Sequence, residues 1–155
     1  MDNNNKAQKK MLTDTQISHI MTKELVTVHP DDTMDLVRDI FETNNFHHVP
    51  VVRDEVLVGI ISTREVLQLT RNIGTKYDKK IDDDYLTSIL AGEVMSTELV
   101  TLSPGDSLYK AIEKFNQGYF HSLPVVYEGK LVGLVTSTDL MRFMYNELKG
   151  ERFLF

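Results

Sequence analysis

Two four-residue stretches place a hydroxyl and a carboxylate three positions apart: Thr136-Ser137-Thr138-Asp139 and Ser62-Thr63-Arg64-Glu65. Each follows a β-prone apolar run and precedes a helical pattern, so each falls where a strand hands over to a helix. Two chemistries suit that junction. A carboxylate there can accept hydrogen bonds from both hydroxyls of a ribose, while the N–H groups of the opening helical turn favour phosphate. The same spacing is also a helix capping box that needs no ligand. Ser62 with Glu65 fits the box better than the diol reading, because Glu is the preferred capping partner. Apolar strand residues such as Val100 and Val125 are suited to sandwiching a planar ring.

Other chemistries find little to work with. The 155 residues contain no cysteine, which removes disulfides, thiolate metal sites and thiol nucleophiles and fits a reducing cytoplasm. No paired carboxylates, nucleophile with base, or metal cluster stands out, and there is no Gly-rich phosphate loop, so the reading is not an enzyme and no metal is required. The acidic run Asp82-Asp83-Asp84 reads as solvation on a linker. With 23 acidic against 17 basic side chains the net charge is −6, which repels a phosphate backbone, and Lys6, Lys9 and Lys10 are too few to reverse that. Nucleic acid is therefore not an expected partner. The Asn- and Lys-rich start has no apolar core of a signal peptide, and no apolar run approaches the ~20 residues of a membrane span. These features predict a cytoplasmic protein with no membrane partner. His19 and His29 read as surface or packing residues.

What positions the two stretches is a repeat. Sliding the chain by 74 positions lays Ile17 to Leu67 over Ala91 to Met141 without a gap, with 16 of 51 pairs identical. Each copy reads as a strand, a helix, two strands and a second helix, an α/β (α+β) pattern. The first strands are Leu25 to Val28 and Leu99 to Leu102. The next helix opens at Ser103 as N-cap, with Pro104 in the first turn and Asp106 three residues after the cap. Leu108, Ala111, Ile112 and Phe115 form its buried face, as Met34, Val37 and Phe41 do in the first copy. Strands follow at Val49 to Val52 with Leu57 to Ile61, and at Leu123 to Val126 with Leu131 to Val135, the second pair joined by a Glu128-Gly129 turn. Helices close the copies at Thr63 to Arg71 and Ser137 to Glu147, the latter with Leu140, Met141, Met144 and Leu148 on one side. The predicted organisation is a disordered tail over 1–13, repeat 1 over 14–72, a linker over 73–84 and repeat 2 over 85–150, with a short helix from Tyr85 to Leu90. Neither copy has core enough to stand alone, so the two are expected to pack about a pseudo-twofold axis.

The ordered motifs of each copy resemble those of the CBS domain pair, or Bateman module. Met21-Thr22 and Met95-Ser96 lead into Val-Thr-hydrophobic-x-Pro, then Phe-His-x-hydrophobic-Pro-Val-Val, then Leu-Val-Gly with a Ser or Thr three residues on. The resemblance covers about Asp14 to Leu148 and implies tandem β-α-β-β-α units with two clefts between them. It also implies an adenosine ligand, AMP, ADP, ATP or S-adenosylmethionine, and a regulatory role as a standalone sensor. The ribose would fall to Thr136 and Asp139, and to Ser62 and Glu65, where Glu65 departs from the family's Asp. The resemblance gives phosphate to His47, His48 and His121, three or two residues before Pro50 or Pro124, with Arg64, Ser137 and Thr138 at the helix starts. The adenine wall would be Val26, Thr27 and Pro50 in one copy and Val100, Thr101, Pro124 and Val125 in the other. Family-like pairs associate through their helices, which implies a homodimer acting on an effector protein that the sequence does not name. The alternative is a ligand-free structural or dimerisation module.

Overall fold

The computed structural model describes residues 6, 10–71, 84–118 and 120–149. The linker up to residue 83, the first two acids of the Asp82-Asp83-Asp84 run, Gly150 and Phe153-Leu154-Phe155 lie outside the described residues. Two compact units emerge, and they are not the two sequence repeats. The first runs from Val26 to Leu99; the second joins the chain up to Leu25 with Val100 onward.

In the first unit, helix α1 (Met34–Thr43) is followed by strands β1 (His48–Arg53) and β2 (Val56–Ser62) and by helix α2 (Thr63–Arg71). The strands form an antiparallel hairpin in which Val49 opposes Ile61 and Val51 opposes Gly59. A single helical turn, Ala91–Val94, completes the unit. Val28, Met34, Val37, Val49, Val51, Ile61, Val66, Leu86 and Ala91 make its core. The apolar face read at the repeat period is thus the face that is buried. Leu25 to Val28 is not a regular strand: only Val28 pairs, its N–H donating to the Pro50 carbonyl at 3.1 Å and its carbonyl accepting from Val52 at 2.8 Å. Pro50 has no N–H to give on the side its carbonyl faces, so a longer ladder cannot form there.

The second unit repeats this plan with helix α3 (Leu108–Gln117), strands β3 (Ser122–Tyr127) and β4 (Lys130–Thr136) and helix α4 (Ser137–Lys149). Its core includes Ile17, Ile20, Leu102, Leu108, Ala111, Leu123, Val125, Val135, Leu140 and Phe143. Leu102 pairs singly with β3 as Val28 does with β1. Three local expectations change. The N-cap of α3 is Ser107, whose hydroxyl accepts from the Lys110 N–H at 3.3 Å, and not Ser103. Ser103 opens the preceding turn, where its N–H donates to Asp106 at 2.8 Å. Residues 10–14 are helical, with Met11 and Leu12 against the core, where the composition suggested a disordered tail through residue 13. On α4 only Leu140 and Phe143 are buried; Met141, Met144 and Leu148 stand exposed.

The units depart from the repeats because the leading segments are exchanged. Residues 15–22, from repeat 1, lie on repeat 2: Ile17 donates to the Asp106 carbonyl at 2.8 Å, Ser18 to Pro104 at 2.9 Å, and Leu108 donates to Thr15 at 2.8 Å. Residues 89–96, from repeat 2, lie on repeat 1 by the same bonds: Ala91 to Asp32 at 2.7 Å, Gly92 to Pro30 at 2.8 Å, and Met34 to Ile89 at 2.9 Å. The repeated Met and Gly of the motif meet in this exchange. A Cβ at Gly133 would fall 2.5 Å from the Met21 sulfur, and one at Gly59 would overlap Met95 in the same way.

Candidate functional site

In the second unit, β4 ends at Thr136 and α4 begins at Ser137, which is why the hydroxyl and the acid fall on the junction. One oxygen of Asp139, Oδ2, accepts from the Thr136 N–H at 2.8 Å and from the Thr136 hydroxyl at 2.7 Å. The Asp139 N–H donates back to that hydroxyl at 3.2 Å, which closes the capping box. The other oxygen, Oδ1, is 3.9 Å from the Arg142 guanidinium one turn on. With its side chain 17% exposed, Asp139 is neither turned out into solvent nor sealed in the core. Capping by one oxygen fixes the direction of the second, so the capping and ligand-binding readings of this residue are compatible.

The first unit has the same junction with a longer acid. Glu65 Oε2 accepts from the Ser62 N–H at 2.7 Å and from the Ser62 hydroxyl, and the Arg64 N–H donates to that hydroxyl at 3.3 Å. Where the second unit has Arg142, the repeat has Gln68.

The histidines reach these junctions through the main chain. The His47 carbonyl accepts from the Thr63 N–H and the His121 carbonyl from the Ser137 N–H, both at 3.1 Å. Each bond uses the first N–H of the helix, one of the donors that otherwise favours an anion. The side chains of His47 and His121 remain exposed, His48 is half-buried, and Arg64 and Thr138 are exposed at the helix starts. Ser122, beside His121, is buried.

The expected wall residues divide. Val26 and Thr27 are exposed and Val100 and Thr101 half-buried, on the extended stretches leading to the single bridges. Val125 is fully buried among core side chains, and Pro50 and Pro124 are buried as well. Val125 therefore belongs to the core, because β3 turns it to the same face as Leu123, and of the residues expected to form a wall in that copy only Val100 and Thr101 are partly open. Sequence reasoning missed Met21, Met95 and Arg142. Met21 and Met95 were legible as repeated residues without an assigned task, whereas Arg142 follows from Asp139 only once the helical register is known.

The family model of the CBS domain matches residues 17–72 and again 91–146. The chain belongs to the CBS domain family. The CBS domain-containing protein YhcV of Bacillus subtilis is 31% identical over 137 residues, covering 88% of this chain and 91% of its own. Among solved structures, the CBS domain of a CBS domain-containing membrane protein from Sphaerobacter thermophilus superposes with a TM-score of 0.74 at 26% identity, over 90% of this chain and 93% of that one. CBSX2 in complex with AMP superposes with a TM-score of 0.70 at 25% identity, over 88% and 98% of the two chains. Some relatives are longer: this chain spans 42% of one archaeal protein and 39% of another. The fold is thus that of tandem CBS repeats in the α/β class. Among the described residues no helix is long and apolar enough to cross a membrane, and no three His, Asp or Glu side chains are grouped to hold a metal ion.

Proposed function

We propose that this CBS pair is a cytoplasmic regulatory module that binds an adenine nucleotide, AMP, ADP or ATP, or S-adenosylmethionine, at its two Ser/Thr-x-x-acid junctions and catalyses no reaction. The observation that carries the reading is the division of labour within Asp139. Oδ2 holds the helix start, and Oδ1, oriented and engaged among the described residues only by a 3.9 Å ion pair, is suited to accept from the ribose hydroxyls. Thr136 and Ser62 hold the acids, Val26, Thr27, Val100 and Thr101 offer surface to the adenine, and the exposed imidazoles offer hydrogen bonds and Arg64 a charge to phosphate. The AMP complex of CBSX2, at 25% identity, supports the ligand class. The Glu65 junction has Gln68 where the other has Arg142, and its acid departs from the family's Asp, so the Asp139 junction is assigned the tighter binding.

Thermal unfolding with AMP, ADP, ATP, NADH and S-adenosylmethionine tests this. A ligand at one hundred times its dissociation constant is expected to stabilise the fold by about 2.7 kcal/mol. Asp139→Ala is expected to remove most of that gain at the tighter junction. No shift with any of the five rejects the reading.

A second reading, a structural module acting by association alone, is favoured by one feature. Met141, Met144, Tyr145 and Leu148 follow the i, i+3, i+4, i+7 pattern and are all exposed on α4, Leu148 to 81%. We assign this stripe to a homodimer contact, through which the sensor would signal to an effector protein.

A further inference from the structure

The first unit holds a cavity of about 400 Å³, within the size range of small-molecule sites. It lies at the turn end of the β1–β2 hairpin, where Arg53 opposes Val56, whereas the Glu65 junction begins at the other end, where His48 opposes Ser62. At ~3.3 Å per residue the two ends are about 17 Å apart along β1. Pro30, Val58 and Met95 give the cavity apolar walls, and Asp31, Arg53 and Glu93 bring charges of both signs to it. All six residues belong to the one unit.

These charges line one space without closing on one another. Among the described residues no ion pair joins Arg53 to Asp31 or to Glu93. Each acid is steadied through one oxygen. Asp31 Oδ2 stands 3.3 Å from His29 Nδ1, and Glu93 Oε2 accepts from the Leu90 N–H at 2.8 Å. The second oxygen of each acid and the Arg53 guanidinium engage no partner among the described residues. A molecule carrying both a carboxylate and an ammonium satisfies such a set, because each ionic group meets its opposite and neither is left unpaired in a partly enclosed site.

The internal repeat separates what the fold needs from what has been added. The apolar walls recur unchanged at the matching positions of the second unit, as Pro104, Val132 and Met21. The charges do not recur: Asp31, Arg53 and Glu93 are matched by Gly105, Tyr127 and His19. The shared walls serve the packing of the leading segment on each hairpin, as the overlap of Met95 with Gly59 and of Met21 with Gly133 shows. That packing works in the second unit without the three charges, so packing does not account for them.

We propose that the first unit binds a free α-amino acid with an apolar side chain in this cavity. The Arg53 guanidinium takes the carboxylate, for which its planar fork is suited. The free oxygens of Asp31 and Glu93 take the ammonium, and the side chain lies along Val58 and Met95. This site is separate from the hydroxyl-acid junctions and does not rest on the nucleotide reading.

The test is an NMR titration of the nitrogen-labelled full chain with L-leucine as probe. Saturable shifts centred on the Asp31, Arg53 and Glu93 amides are expected, with a Kd below about 1 mM. N-acetyl-L-leucine lacks the ammonium and L-leucinamide the carboxylate, and each is expected to bind at least about 10-fold more weakly than leucine. Glycine, which lacks the side chain, is expected to lose at least about 10-fold as well. Arg53→Gln, at an exposed position, should weaken leucine at least about 10-fold and leucinamide less than about 2-fold, since the amide has no charge for the guanidinium to read. Unchanged amide positions in the core of the variant verify its fold. No saturable shift with leucine overturns the proposal, as do shifts centred on Gly105, Tyr127 and His19 or on the Asp139 junction. Equal binding of leucine and leucinamide, or an equal loss of both in Arg53→Gln, overturns the assignment of the carboxylate to Arg53.

Discussion

At the scale of single residues, Gly59 and Gly133 show how a family motif acquires a physical meaning. Neither needs an unusual backbone angle, since the positive φ values lie elsewhere. What they provide is the missing Cβ that lets a methionine of the other repeat lie on the strand. Gly133→Ala is therefore expected to destabilise the protein by about 1–3 kcal/mol, as overpacking does. In denaturant unfolding the double variant with Met21→Ala should lose less than the sum of the two single losses, because the two residues share one space. Additive losses would show that the methionine is not what requires the glycine. The glycine was legible as a repeated residue; its reason was not, because the sulfur that fills the space comes from more than a hundred positions away.

Among elements, the hairpins follow local chemistry closely. Glu128-Gly129 turns with both φ values positive, at 50° and 81°, as two-residue loops of this kind require. Asp54-Glu55 adopts the same conformation at 50° and 67° without a glycine, which the core pairs of β1 and β2 must hold in place. The turns ahead of α1 and α3 are likewise matched. The Asp32 side chain accepts from the His29 N–H at 2.7 Å, as Asp106 does from Ser103 at 2.8 Å. Partial burial raises the Asp106 carboxyl, but the Lys110 ammonium at 2.7 Å and the Ser103 N–H outweigh it and hold it below the ordinary carboxylate range. A carboxyl depressed in the folded state stabilises fully above its unfolded value, about 3.9, and loses that contribution as pH falls through its folded value. Asp106→Asn is expected to cost about 1 kcal/mol in urea unfolding at pH 7 and less at pH 3, below the unfolded value of about 3.9, where the unfolded chain has begun to take up the proton. An equal cost at both pH values would show that the charge contributes nothing.

For the whole molecule, the proposed association rests on one exposed helical face. Exposing four large apolar side chains on one helix costs solubility unless another surface covers them, and α4 does this with Met141, Met144, Tyr145 and Leu148. Met144→Glu is expected to convert a dimer to a monomer in light scattering while leaving the unfolding temperature within a few degrees, since Leu140 and Phe143 carry the helix's packing. A dimeric mass retained by the variant would place the contact elsewhere.

The hairpins, helices α2 and α4 and the two capping boxes were written locally, in residues at most a few positions apart, and the repeat showed each of them twice. Propensity, turn chemistry and apolar period agree there, so the sequence alone determined them. It did not determine which repeat each leading segment would lie on. Residues 15–22 and 89–96 face two near-copies of one docking surface, Pro30-Asp31-Asp32 and Pro104-Gly105-Asp106, and pattern cannot choose between near-identical partners. Nor did it settle that Val125 packs into the core while Met144 stays outside, because an apolar residue carries no sign of which neighbour will cover it. Those choices belong to tertiary structure, since they depend on where distant segments are free to arrive.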